Sequence, residues 1–529
     1  MSDSHSHIHL FGNPEENFYA LGKKDQISYD EIYQQISMLC ARNNFFAQVL
    51  KLATEYLSRQ KKSDNTEFLK NIKAYADGLE RNQENVIFAM LIPELVAAFN
   101  KWSPQLIQYV PGCSSLLYLD QQNECPTHAR ILDYALAGPY EKYERTLTYD
   151  FKGQKKICSF STSGMPFPSL TGFNESGLSL ALHYKHGNYF NFEGESIFFI
   201  TQEVLQKCSD IRSAIKLLKT KSSMSYWGII LGDRNGEVAS VDLHGSDYYQ
   251  EKFDLADHDF LYFNNRPLLY KKPMEHLQPY GNPRHCQTRR ENALKLLKKE
   301  KQFDAMTGLK VLGQISVSQS SKNYSHGPLT PSSIQLVSMQ PSRSEAMFVD
   351  GPAPKFFNGQ YTHLKEVFKN FSTECVKSRK KENLVHEHYR RWTRYQTSID
   401  LGNISQAYHE IQMSLIELKD TTEESISQFY FLVTQYIFEN DKRDYTYLLQ
   451  EFESLENKLP DYLNDHRQLF ILRLTKLLGL NSDQINAKIK HPKLNELYGR
   501  EKNLNQMALR GFKKLIFPRI DIFDIIYAY

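Results

Sequence analysis

Val110-Pro-Gly-Cys-Ser-Ser-Leu-Leu-Tyr-Leu-Asp120, returning as Ala129-Arg-Ile-Leu-Asp133, is the stretch whose reading decides the fold. An apolar strand, a polar turn and a second strand follow one another, which is the pattern of an antiparallel hairpin. At its head stands Gly112-Cys113. The thiolate is the nucleophilic form of cysteine, and a free thiol titrates at about 8.5, so a base or positive field has to help it. Cleavage between Gly112 and Cys113 would supply that base. The new α-amino group, titrating at about 7.7–8.0, would sit on the same residue as the sulfur. Glycine suits the bend at such a bond because it tolerates unusual dihedrals. Arg130 and Asp133 come back on the second strand and are expected to face Cys113. The guanidinium would favour thiolate, and the carboxylate would accept from the α-ammonium group. An ordinary Arg–Asp pair on a sheet edge explains the same two residues without chemistry.

Outward from this hairpin, the 529 residues suffice for two to four domains. A 41% hydrophobic and 13% aromatic composition supports packed cores and excludes a disordered polymer. A net charge of +3 on 64 basic and 61 acidic residues gives no clustered basic surface of the kind nucleic acid requires. No apolar stretch is long enough to span a membrane, and Met1 to His9 lacks the basic and apolar regions of a secretory signal, so the cytoplasm is the expected compartment. The seven cysteines are scattered and contain no CxxC pair. That pattern fits a reducing environment and argues against a structural zinc site. His5, His7 and His9 alternate as metal ligands on a strand would, but a polar, mobile terminus is the plainer expectation.

Taken in order, residues from about Asp25 to Asn100 carry helical periodicity, with Ile27–Leu57 and Phe68–Phe99 as the two runs. After Cys113 the pattern turns to short strands. Leu147–Phe151 and Lys156–Thr162 read as one hairpin around Gly153. The turn Gly172-Phe-Asn-Glu-Ser-Gly177 leads into the strand Leu178–Tyr184, and a helix follows over Ser196–Lys219. Ser225–Leu231 and Glu237–Leu243 flank the turn Asp233-Arg-Asn-Gly236. A strand over Asp259–Phe263, a helix over Thr288–Lys301 and a last hairpin over Ser333–Met339 and Ala346–Val349 complete this region. From about Tyr361 the strands are expected to stop, leaving a helical remainder.

These motifs, in this order, resemble the N-terminal-nucleophile cysteine hydrolases, a group that includes choloylglycine hydrolase, penicillin V acylase, acid ceramidase and the isopenicillin-N acyltransferases. Cys113-Ser-Ser-Leu followed by Ala129-Arg-Ile-Leu-Asp133 looks like their opening strand and its Arg-x-x-Asp return. Gly172-Phe-Asn-Glu-Ser-Gly-Leu178 resembles their Gly-Met-Asn-Glu-Lys-Gly-Leu turn, and Phe263-Asn-Asn-Arg-Pro267 stands at their strand-terminal Thr-Asn step. The resemblance implies that Cys113 is the nucleophile, Arg130 a cation beside the thiolate and Asp133 the residue orienting the α-amino group. It places Tyr184 on the oxyanion side, Asn265 as a second oxyanion donor and Arg289 at the head of the late helix. Asn264, Arg290 and Asn174 are the alternates. Two departures are present: Asn264 replaces the usual Thr, and a 112-residue leader precedes the nucleophile, as in the ceramidase and acyltransferase branch.

The expected fold is α+β, a four-layered αββα sandwich with a helical leader over 1–112, a catalytic domain over 113–360 and an all-α domain over 361–529. The expected function is an autoproteolytically activated cysteine amidase that opens linear N-acyl amides through a thioester, with no cofactor and no metal. Its partner is a small-molecule N-acyl amide, with no nucleic acid and no membrane span. The helical C-terminal domain is a possible protein-binding surface. An acyltransferase passing the acyl group to an amine shares the same thioester. A different class of reading is a degenerate enzyme acting as an interaction protein.

Overall fold

A computed structural model of the chain describes residues 6–40, 66–102, 112–134, 138–268, 281–314, 328–377 and 390–512, apart from 169, 186–188, 331 and short stretches of the C-terminal helices. Much of the expected Ile27–Leu57 helix lies outside these residues. The chain divides into two compact units, Met1–Leu277 with Cys286–His386, and Gln278–His285 with Glu387–Tyr529.

The first unit holds β1 (Ser6–Gly12), α1 (Pro14–Cys40), α2 (Thr66–Leu79) and α3 (Gln83–Trp102) ahead of the strand that carries Cys113. The hairpin of β2 (Gly112–Asp120) and β3 (Cys125–Asp133) comes next. Its turn is fixed by Asp120, whose side chain accepts from the backbone N–H groups of Gln122 at 2.9 Å and Asn123 at 3.2 Å. Then follow β4 (Glu144–Phe151), β5 (Ile157–Thr162), β6 (Thr171–Asn174), β7 (Ser179–Tyr184), α4 (Ile197–Lys207) and α5 (Ile211–Leu218). β8 (Tyr226–Gly232), β9 (Glu237–His244), β10 (Asp247–Asp254), β11 (Phe260–Phe263), α6 (Gly281–Leu297) and α7 (Thr307–Leu312) lead to β12 (Ser333–Gln340), β13 (Glu345–Phe348), β14 (Tyr361–Lys365) and β15 (Ser372–Val376).

Two sheets result. One has the order β1-β4-β5-β6-β7-β8-β9-β10, the other β11-β2-β3-β12-β13-β14-β15. β2, β3, β7 and β12 are buried along nearly their whole length because both faces are covered. Leu178, Leu180, Leu182 and Tyr184 pack in one core with Ile197, Val204, Ile211 and Ile215 of α4 and α5. On the other sheet, the N–H of Gly308 in α7 donates to the Tyr118 hydroxyl at 2.9 Å. The layers run helix, sheet, sheet, helix, so the unit is a four-layered αββα sandwich.

The leader is built into this sandwich. α1 and α2 close on each other where Gly22 has no side chain; a Cβ there would stand 2.2 Å from the carbonyl oxygen of Tyr75. Asp25 of α1 forms a buried two-pronged ion pair with Arg145 of β4 at 2.6 and 2.7 Å and accepts from the Tyr75 hydroxyl at 2.6 Å. Glu94 of α3 is buried and accepts from the N–H of Ile197 at 2.7 Å, from the Trp227 indole at 2.9 Å and from Ser225. Its carboxyl group caps the N-terminal end of α4.

Four expectations change. The polar N-terminus is the strand β1, paired in parallel with β4, with Leu10 buried and His7 stacked on Phe371 at 3.6 Å. One side chain facing the core is too weak a pattern to announce a strand. The helix expected over Ser196–Lys219 is two helices, because Asp210 caps a new start with a capping box to Ser213. The helix expected from Thr288 begins at Gly281 and ends at Leu297. Strands do not stop at Tyr361: β14 and β15 extend the second sheet, so the expected boundary falls inside it. β14 buries only Thr362 and Leu364, too short a pattern to announce a strand, and β15 is exposed along most of its length.

The second unit contains α8 (Ile404–Glu417), α9 (Glu424–Phe438), α10 (Lys442–Ser454), α11 (Asp461–Leu478), α12 (Pro492–Lys502) and α13 (Gln506–Phe512). Phe429, Phe452 and Phe470 form its aromatic centre. Arg473 and Glu501 join α11 to α12 through two buried 2.6 Å contacts. Among the described residues no helix is long and apolar enough to cross a membrane.

Candidate active site

Cross-strand register sorts the hairpin's side chains before any distance is measured. Cys113 stands opposite Leu132 and Ser115 opposite Arg130, whereas Gly112 stands opposite Asp133 and Ser114 opposite Ile131. Alternate residues share a face, so Cys113, Ser115 and Arg130 point between the sheets and Asp133 points to the outer helix layer. The sequence expectation that Arg130 and Asp133 both face Cys113 is therefore corrected for Asp133, and the two are not an edge ion pair.

On the inner face, Arg130 Nη2 lies 3.5 Å from Cys113 Sγ. The guanidinium is fully buried and donates to the carbonyls of Leu170 and Leu182 and to the Thr171 hydroxyl. All these acceptors are neutral, and among the described residues no carboxylate is in ion-pair contact with Arg130. A buried cation without an anion is costly, and the Cys113 sulfur lies directly beside it. Ser115 and His183 hydrogen-bond at 2.8 Å, and His128 and Ser179 at 3.0 Å, within the same layer. Burial first, then Arg130, lowers His183 well below its ordinary value and His128 to about 3. Both imidazoles are neutral at physiological pH.

On the outer side, Asp133 pairs with Arg289 of α6 at 2.7 Å and accepts from the Ser333 hydroxyl at 2.6 Å, all buried. Arg289 reaches on to Ser114 at 3.2 Å and to Asn265 Oδ1 at 2.9 Å. That same Oδ1 accepts from the Cys113 backbone N–H at 2.9 Å, while Nδ2 of Asn265 donates to the Tyr184 carbonyl at 2.8 Å. Asn265 thus meets the backbone nitrogen of Cys113 as an acceptor, where the sequence suggested a donor to an oxyanion. Its amide orientation is fixed by donors on one end and an acceptor on the other.

The alternates lie elsewhere. Asn264 closes its own turn, accepting from the Arg266 N–H at 3.0 Å and donating to the Cys286 carbonyl at 2.8 Å. Arg290 is exposed. Asn174 holds the β6–β7 turn and the end of α4, donating to the carbonyls of Leu205 and Cys208 at 2.9 and 2.8 Å. Tyr184 stands on the helix-facing side of β7, edge-on to Trp227 with ring centroids 5.3 Å apart. It lines an apolar cavity with Cys113, Arg130, Leu132, Trp227 and, from the leader, Ile32 and Met90.

Sequence reasoning missed several of these partners. Lys185 is buried, lies 3.4 Å from Asp242, and donates to the carbonyls of Asn264 at 3.2 Å and Arg266 at 2.9 Å, bracketing Asn265. A Cβ on Gly228 would fall 2.0 Å from the Lys185 side chain, so a glycine inside an otherwise apolar strand was the available signal. Ser333, Thr171 and Gln335 carried none. Among the described residues no group of three His, Cys, Asp or Glu side chains is placed to hold a metal ion.

A search of curated proteins finds no match to this sequence. Among solved structures, an N-acylethanolamine-hydrolyzing acid amidase ortholog from Caenorhabditis elegans overlaps 44% of this chain and 93% of its own at 16% identity, with a TM-score of 0.34. Penicillin V acylase from Agrobacterium tumefaciens overlaps 45% and 84% at 14% identity and 0.30. A conjugated bile acid hydrolase from Clostridium perfringens overlaps 51% and 99% at 11% identity and 0.31. Residues 122–253 match the family model of the acyl-coenzyme A:6-aminopenicillanic acid acyl-transferases. The strand order makes the first unit a four-layered αββα sandwich, and residues 122–253 within it are similar to that acyl-transferase family.

Proposed function

We propose that this chain is a cysteine amidase, activated by its own cleavage between Gly112 and Cys113, that opens linear N-acyl amides through a thioester on Cys113. The observation that carries the reading is the buried guanidinium of Arg130, held by neutral acceptors and 3.5 Å from the Cys113 sulfur. In maturation the thiol would add to the Gly112 carbonyl and the Gly112–Cys113 C–N bond would break. The α-amino group is then free, and water releases the Gly112 carboxylate from the sulfur. In turnover that amine takes the thiol proton and the thiolate attacks the amide carbonyl. Collapse of the tetrahedral intermediate expels the amine, which takes the proton back from the α-ammonium group, and water then hydrolyses the thioester.

Each residue has a place in this scheme. Asn265 Oδ1 receives the nucleophile's nitrogen, Arg289 and Asp133 hold Asn265, and Arg130 stabilises the thiolate. Tyr184 and Trp227 wall an apolar cavity suited to the acyl part of an amphiphilic amide. Residues 1–112 contribute part of that wall and are read as a leader or small subunit, ahead of a catalytic domain that includes β14 and β15 and a helical domain beyond it. The reaction as written uses no cofactor.

Mass spectrometry of purified protein tests the maturation step, with two fragments expected, one beginning at Cys113. A panel of N-acyl amides assayed for amine release tests the turnover. An uncut chain that also resists a thiol-reactive acyl probe sinks the reading. The acyl-transferase description of the matched family favours a second outcome, in which an amine takes the acyl group from Cys113. Supplying a primary amine with the substrate and weighing transfer product against free acid separates the two.

A further inference from the structure

We infer that Thr171 and Gln335 are positioning residues that hold Arg130 against the Cys113 sulfur, and that a bulge at Ile334 aims Gln335 at this task. The inference rests on the reading of Cys113 as the nucleophile.

The argument begins with proton directions. Arg130 can only donate, so the Thr171 oxygen accepts from its Nη1. The single Thr171 proton passes to Gln335 Oε1 at 2.7 Å. That leaves the Gln335 amide nitrogen to donate to the Tyr140 hydroxyl at 2.6 Å. Every donor points the same way along Arg130, Thr171, Gln335 and Tyr140, and each hydrogen bond polarises the next. Thr171 and Gln335 are completely buried, so water cannot replace either partner.

The backbone explains how Gln335 gets there. In a regular strand Ser333 and Gln335 would share a face. Against β3, however, Ser333 stands opposite Asp133 and Gln335 opposite Leu132, so Ile334 is an extra residue. The bulge sends Ser333 to Asp133 on the outer face and Gln335 to the inner face with Arg130. One irregularity in β12 therefore supports both the amine side and the thiolate side of the site. Removing the Thr171 hydroxyl leaves Nη1 the Leu170 carbonyl and Nη2 the Leu182 carbonyl, so Arg130 keeps acceptors but loses its lateral brace.

The experiment uses the full chain and reads the pH midpoint of Cys113 alkylation by iodoacetamide, followed by mass spectrometry, beside the melting temperature. Thr171→Val and Gln335→Leu are expected to raise the midpoint by about one pH unit, which is roughly tenfold slower labelling below it. Thr171→Ser is expected to restore the wild-type midpoint. If Thr171→Val and Gln335→Leu melt earlier yet keep the wild-type midpoint, while Arg130→Met moves it, the two residues are merely structural and the inference is overturned. A wild-type midpoint at the ordinary thiol value, unmoved by Arg130→Met, overturns the reading of Cys113 itself.

Discussion

Arg130 and Asp133 lie on one strand, three positions apart, and their side chains leave opposite faces of the sheet. One meets the sulfur of Cys113 from between the sheets; the other reaches the Cys113 nitrogen through Arg289 and Asn265 from the helix layer. In the proposed scheme the site is therefore divided across a strand, with thiolate stabilisation on one side and amine placement on the other.

Replacing Arg130 tests the first side. Arg130→Met removes the cation next to the sulfur and is expected to slow alkylation at pH 7 by tenfold or more. Turnover of an N-acyl amide should fall at least as far. Arg130→Lys should recover only part of either, since an ammonium cannot hold the Leu170, Thr171 and Leu182 acceptors together. An Arg130→Met protein that alkylates like wild type would show that the sulfur does not depend on this charge.

Asp133 tests the second side and should behave differently. Asp133→Ala leaves Arg289 buried without its carboxylate, which is expected to cost about 3–5 kcal/mol of stability. Asp133→Asn keeps the shape and loses only the charge. The Asn variant is expected to fold, to melt earlier than wild type, and to accumulate as the uncut chain. Equal melting curves for Asp133→Ala and wild type would contradict the buried pair.

The two inner-layer histidines set a pH dependence. Both are held below the ordinary histidine value by burial and Arg130, so the unfolded chain binds protons that the folded chain refuses. Their stabilising contribution is complete above about 6.5 and is lost as pH falls toward the folded values, about 3 for His128. Cooling of the melting temperature between pH 7 and pH 5 is expected, corresponding to at most roughly 2 kcal/mol for each histidine. His128→Gln should flatten that slope. A variant slope equal to that of wild type removes His128 from the account.

The hairpin carrying Cys113, Arg130 and Asp133 was readable because its apolar runs and polar turn are local, and so was the order of strands after it. Other features were hidden for physical reasons. β1, β10 and β15 expose polar faces at the margins of the sheets, where alternation fades, and β14 is short. Asp25 and Glu94 look like ordinary charged helix residues and become buried anchors only against Arg145 and Trp227, which are distant in sequence. The bulge at Ile334 changes which face Gln335 occupies, and no periodicity within β12 announces it. The face of Asp133 was a matter of register, which a hairpin's sequence leaves open until its turn is placed.

Asn264 and Asn265 are adjacent, and the sequence reading took Asn265 with Asn264 as its alternate; their contacts make opposite predictions. Asn265 Oδ1 touches the Cys113 nitrogen and Arg289, whereas Asn264 closes the turn that Lys185 braces. Asn265→Ala is expected to reduce kcat by about 10²–10⁴, because the amine that must take the thiol proton is no longer held. Asn264→Ala is expected to cost about 1 kcal/mol of stability through its lost turn and helix hydrogen bonds, and to change kcat far less. Steady-state kinetics and melting curves on both variants separate the roles. If Asn264→Ala loses more turnover than Asn265→Ala at equal folding, the nitrogen is held from the other residue, and the acceptor role given to Asn265 is wrong.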